Sequence, residues 1–178
     1  MKKLGNQHGA VLVVSLILLL VLTLIGVSGA RNVMMGERMT FASRDAKVAL
    51  EVAESMARLG EAHIDSLTDL STFGSTGWLR TAGDGPDALF ASDTWTDTNT
   101  TEREVGMLAA DGTTKLKGRM YIELAGLASD DSNASDVDLS TGNTGLDFDD
   151  TQVFRIVTRG EGIGGTERII ITLYGKAM

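Results

Sequence analysis

The sequence predicts an α+β protein: one long N-terminal helix, hydrophobic in its first half, packed against a C-terminal antiparallel β-sheet. Three observations carry the prediction. An uncharged apolar run lies near the N-terminus, small and sulfur-bearing residues continue beyond it at helical spacing, and three β-rich runs follow toward the C-terminus. The 178 residues contain no cysteine and carry a net charge of −8. Without cysteine the chain is not a zinc finger, an iron–sulfur protein, a disulfide-stapled domain or a lipoprotein. The charge is unevenly spread: residues 1–30 hold +2, residues 31–60 hold +1, and residues 61–178 hold −11. So acidic a balance argues against general nucleic-acid binding, which depends on neutralising phosphates with Lys and Arg.

The first element is the apolar run. No Asp, Glu, Lys or Arg occurs from Gly9 to Ala30, and 14 of the 18 residues from Ala10 to Val27 are Leu, Ile or Val. At roughly −0.3 to −0.6 kcal/mol each, those side chains favour membrane insertion by about 4 to 8 kcal/mol at most. Eighteen helical residues rise about 27 Å, enough to cross a hydrocarbon core. Lys2 and Lys3 precede the run, so the positive-inside tendency keeps the N-terminus cytoplasmic and exports everything after Arg31. Such a segment can remain as an anchor. It can also be a secretory signal cleaved after Ser28-Gly29-Ala30, although it is longer than the usual apolar core of one.

The second element continues the helix. Met35, Met39, Ala42, Ala46, Ala49, Ala53, Met56 and Gly60 alternate at spacings of four and three, a narrow seam among charged residues. Met and Ala permit close, adaptable packing against a sheet or another helix. Gly26, Gly29 and Gly36 each disfavour helix by about 1 kcal/mol relative to Ala and mark a weak point near the membrane exit.

The third region, Ser71 to Thr101, is rich in Gly, Ser, Thr, Asp and Asn. It reads as a loop pinned by buried Trp78, Leu79, Leu89, Phe90 and Trp95. Strands are expected at Lys117–Leu124, Gln152–Thr158 and Glu167–Tyr174, the last two joined by a glycine-rich hairpin. A sheet of three or four antiparallel strands covered by the helix is the economical arrangement.

A short basic leader ending in Gly9 and running directly into the apolar helix resembles the class III signal of type IV prepilins. More specifically, HGAVLVVSLILLLVLTLIGVSGARNVMMGERM followed by SRDAKVALEVAESMAR looks like the N-terminal region of PilX-type minor pilins, and VFRIVTRGEGIGG resembles their closing strands. The resemblance implies a pilin fold and four regions: a leader over 1–9, a transmembrane and filament-core helix over 10–30, its amphipathic second half over 31–68, and a periplasmic β domain over 69–178. It implies cleavage between Gly9 and Ala10 by a prepilin peptidase, with methylation of Ala10. It also implies an inner-membrane, single-pass protein that later enters the extracellular pilus. The implied partners are other minor pilins, the major pilin, the inner-membrane assembly platform and the lipid bilayer, with no nucleic acid. Where most major pilins carry Phe and, four residues on, Glu, this chain has Ala10 and Val14. In the family that glutamate neutralises a neighbour's N-terminal amine, so a subunit lacking it suits the tip, where no predecessor needs neutralising. GspK pseudopilins of type II secretion lack it too. They usually carry a large extra domain, so the roughly 110 residues after the helix favour the pilus.

Gly160-Glu161-Gly162-Ile163-Gly164-Gly165 matches G-x-G-x-x-G, yet a strand rather than a helix is expected after it, which points to a hairpin. Asp130, Asp131, Asp136 and Asp138 stand in an acidic stretch, Ser129–Thr151, whose oxygens suit Ca²⁺ as an irregular loop. An EF-hand starting at Asp136 fails, because Thr141 and Asp147 stand where Gly and Glu are needed. The simpler account of the stretch is a solvated loop, which leaves calcium as the one candidate cofactor and none as the expectation. An exported, calcium-dependent adhesive module is the alternative from another functional class. His8 would leave with the leader, and His63 is expected on the helix surface. Lys115, Lys117 and Arg119 form a small basic cluster, Asn99 and Asn133 begin glycosylation-type triplets, and no catalytic constellation is apparent.

Overall fold

The computed structural model describes residues 8–86, 88–109, 111–128 and 151–177. Helix α1 spans His8–Ser66 and is followed by strands β1 (Leu79–Arg80), β2 (Thr101–Leu108), β3 (Lys115–Leu127), β4 (Thr151–Glu161) and β5 (Glu167–Ala177). The chain divides into two compact units between Ser43 and Arg44. The first holds the N-terminal part of α1, and the second holds its last turns with every strand.

In the second unit, Arg44–Ser66 of α1 lies on a five-stranded sheet, giving an α+β, pilin-like architecture. The order is β1-β3-β4-β5, with β2 sharing the β1 edge of β3. Pairings β2–β3, β3–β4 and β4–β5 are antiparallel, while the two-residue β1 runs parallel to β3. The sheet is thus larger than the three or four strands expected, and mixed at one corner. β2 has a physical reason to escape notice. Its TERE start is charged because Glu102 and Glu104 face solvent opposite Arg119 and Lys117 of β3 and pair diagonally with Lys117 and Lys115, an outer-face ladder of opposite charges.

The seam faces the sheet. Ala49, Ala53, Met56 and Gly60 are buried, with Val52, Ala57 and Ile64 beside them. Close approach is achieved by glycine on both sides. A methyl group at Gly118 would strike Met56, and one at Gly160 would strike the backbone of Ala49 and Ala53. One core cluster gathers Ile64, Phe73, Leu79, Ile122, Phe154 and Ile156, and a second gathers Val52, Met56, Val105 and Met120. The buried Thr158 hydroxyl donates to the Ala53 carbonyl at 2.9 Å, tying sheet to helix through a polar contact within that apolar layer.

The C-terminal end of α1 is held by β5. Lys176 Nζ donates to the carbonyls of Ile64, Asp65 and Leu67 at 2.9, 2.9 and 2.5 Å, satisfying acceptors that a helix end leaves orphaned. The Tyr174 hydroxyl donates to the Asp65 carboxylate at 2.8 Å, and this bond raises the tyrosine pKa above its ordinary value.

The Ser71–Thr101 region covers part of the opposite sheet face. Trp95, in a short 3₁₀ turn at Ser92–Trp95, packs on Tyr121 and Val157 and donates its indole N–H to the Leu89 carbonyl at 2.7 Å. Trp78 and Leu89 are half-buried and Leu79 is buried, as a pinned loop requires. Phe90 departs from the expectation: it is 88 % exposed, carried outward on the turn that joins Ala88 to Ala91.

Candidate functional site

The functional features of this chain begin with what α1 leaves uncovered. All fourteen Leu, Ile and Val side chains between Val11 and Val27 are exposed, the least of them at 43 %. Water does not tolerate an isolated helix apolar on every side, so this surface requires lipid or partner helices. Its two hydroxyl side chains are already satisfied: Ser15 donates to the Leu12 carbonyl at 2.9 Å and Thr23 to the Leu20 carbonyl at 2.8 Å. Neither hydroxyl therefore presents an unpaired donor to a hydrocarbon medium. By length and composition, this is the one helix among the described residues able to cross a membrane.

The first unit also shows what happens to the seam beyond the sheet. Met35, Met39 and Ala42 belong to the same periodic pattern as buried Ala49 and Met56, yet they are exposed. The helix continues through Gly26, Gly29 and Gly36, and among the described residues of the first unit nothing comes near enough to demand glycine there. Ala10 and Val14 lie on the helix with no carboxylate at the fifth residue after Gly9, so this stretch offers no acidic partner for an N-terminal amine.

Residues 8–57 match a family model described as PilX N-terminal. The N-terminal segment is similar to that of PilX-type type IV pilins. The match takes in the whole apolar half of α1 and most of the seam, and it leaves the sheet outside. No curated protein and no solved structure matches the chain. PilX-type pilins are a structural, filament-associated family, and the exposed apolar helix fits a membrane-anchored pilus protein.

The remaining candidate residues find other roles. The G-x-G-x-x-G stretch closes the β4–β5 hairpin: Gly162 N–H donates to the Thr166 carbonyl at 2.8 Å, Gly165 N–H to Gly162 at 3.1 Å, and Gly165 adopts φ +85°. A strand follows, so the helix N-terminus that would hold a pyrophosphate is replaced by β5. Lys115, Lys117 and Arg119 project from the outer face of β3 onto carboxylates: Lys115 to Glu104 at 3.6 Å, Lys117 to Glu102 at 2.9 Å, and Arg119 to Asp97 and Glu102 at 2.7 and 2.8 Å. The cluster is balanced by its own sheet rather than open to phosphates. Asn99 uses its amide to donate to the Asp93 carbonyl at 3.1 Å. Among the described residues no group of three or more His, Asp or Glu is placed to hold a metal ion. Asp130, Asp131, Asp136, Asp138 and Asn133 lie outside the described residues.

His63 corrects the expectation of a surface residue. Its ring packs on Trp78 at 4.9 Å between centroids, and Nε2 is buried with no hydrogen-bond partner. Burial holds its pKa below the ordinary histidine value, and the positive charge of Arg103 adds to the effect.

Sequence reasoning missed Asp45, Lys176 and Tyr174. Each joins α1 to the β4–β5 hairpin across more than a hundred residues, and no local pattern signals such a pairing.

Proposed function

We propose that this protein is a minor pilin of a type IV pilus that helps prime filament assembly and sits at or near the tip. A prepilin peptidase cuts between Gly9 and Ala10 on the cytoplasmic side, and Ala10 becomes the methylated N-terminus. The helix from Ala10 to Val27 anchors the subunit in the inner membrane with the sheet in the periplasm. On assembly the same helix leaves lipid and packs against matching helices of other minor pilins and the major pilin. The observation that carries this reading is the PilX N-terminal match falling on a helix whose Leu, Ile and Val side chains from Val11 to Val27 are all uncovered. Exchange of lipid for partner helices keeps those side chains out of water throughout. Val14 supports a tip position: a subunit without a carboxylate there cannot neutralise the amine of a predecessor, an unpaired buried charge costs several kcal/mol, and the tip subunit has no predecessor.

The decisive variant is Leu19→Asp at the centre of the run. A carboxylate there opposes insertion by roughly 2.5 to 3.5 kcal/mol, beyond the loss of the leucine contribution. Membrane fractionation and electron microscopy of pili should show loss of the subunit from the membrane and fewer filaments. Normal piliation with the variant in place would contradict the proposal. A GspK-like role in type II secretion shares the absent glutamate, and the same variant would then stop secretion while leaving pili unchanged.

A further inference from the structure

We infer that the glycine-rich turn between β4 and β5 is an anion cradle whose ligand is Asp45 of the same chain, and that the pair is a strap fastening the start of the sheet-bound helix. The geometry is two-pronged. Gly164 N–H donates to Asp45 Oδ1 at 2.6 Å and Thr166 N–H donates to Oδ2 at 2.9 Å, so each carboxylate oxygen takes one backbone donor. The internal bonds of the turn use Gly162 N–H and Gly165 N–H, leaving the Gly164 and Thr166 donors directed at the helix. Convergent backbone N–H groups of this kind form a concavity for negative charge. Glycine is required by the closeness of the helix: a side chain at Gly162 would fall on Asp45, and a Cβ at Gly164 would lie 3.0 Å from Oδ2. The residues that mimic a dinucleotide motif thus do bind an anion through their backbone, and the anion is an internal carboxylate.

The strap is separable from the core. The first fully buried helix residue is Ala49, one turn beyond Asp45, and Arg44 to Val48 are exposed or half-buried. Ile163, Gly164 and Gly165 are exposed as well. Opening the strap therefore uncovers only the edge of one apolar cluster, where half-buried Val48 packs against it. It releases residues 44–48 from the sheet while Ala49 to Ile64 stay packed, moving the start of the bound helix by about one turn. In support, the Gly164 and Thr166 donors hold the Asp45 carboxyl below its ordinary pKa.

The test is amide hydrogen exchange on the full chain in detergent micelles, comparing the native sequence with Asp45→Ala. Alanine is the better helix former, so any loosening of the helix start reflects the lost strap rather than helix propensity. The variant should exchange roughly tenfold faster at Gly164, Thr166 and residues 44–48, with Met56–Ile64 and Tyr121–Ile122 unchanged. Added formate at about 100 mM should slow Gly164 and Thr166 again in Asp45→Ala, by supplying the missing carboxylate to the cradle. Unchanged exchange at the two amides, faster exchange spread across the whole core, or no response to formate would each overturn the inference. The outcome does not depend on the protein's role in a filament.

Discussion

At the scale of single residues, His63 links burial to a measurable pH dependence. Its Nε2 has no acceptor, Trp78 lies against the ring, and Arg103 repels the imidazolium, so the folded chain holds His63 neutral at pH values where the unfolded chain protonates it. As pH falls through the ordinary histidine value of about 6.5, the unfolded state binds the proton first, and stability falls until the lowered folded-state value is reached. The native protein should therefore lose thermal stability between about pH 7.5 and 5.5 more steeply than His63→Phe, which keeps an aromatic ring on Trp78. Parallel slopes for the two proteins, followed by tryptophan fluorescence, would show that His63 carries none of the acid sensitivity. This behaviour is invisible in the sequence. A lone histidine among charged helical residues reads as solvated, and only the fold brings Trp78 and Arg103 to it.

At the scale of elements, the contact between α1 and the sheet depends on bare backbone. Gly160 of β4 faces Ala49 and Ala53 so closely that a methyl group has nowhere to go, because the obstacle is helix backbone. Gly160→Ala should destabilise the second unit by roughly 1–3 kcal/mol in denaturant unfolding followed by Trp78 and Trp95 fluorescence. Gly106→Ala is the control, since open space surrounds that position in β2. Equal stability of the two variants would refute the close helix–sheet approach. Elements with strong local patterns were legible from sequence: the apolar run, the seam through Ala49, Ala53 and Met56, and strands β3, β4 and β5. β2 was not, because a solvated edge strand stabilised by cross-strand charge pairs lacks apolar alternation. Phe90 was misread for the complementary reason. Its apolar character suggested burial, yet the turn that carries it points outward. The glycine-rich hairpin was legible as a turn, but its hold on Asp45 joins residues 119 and 121 positions apart and leaves no local trace.

At the scale of the whole molecule, the chain combines two surfaces with opposite demands on solvent. The second unit buries an apolar core between helix, sheet and loop, while the first leaves every large apolar side chain from Val11 to Val27 uncovered. That division makes sense for a subunit whose helix is transferred from lipid to a bundle of like helices, and the PilX N-terminal match falls on the residues that would make the transfer. The central claim is that this helix is retained and enters a filament after prepilin processing, rather than being removed as a secretory signal. Mass spectrometry of the mature N-terminus in the membrane fraction tests it most directly. The account predicts a chain beginning at N-methylated Ala10. A chain beginning at Arg31 would mean that the helix had been discarded, and the pilin reading would fall with it.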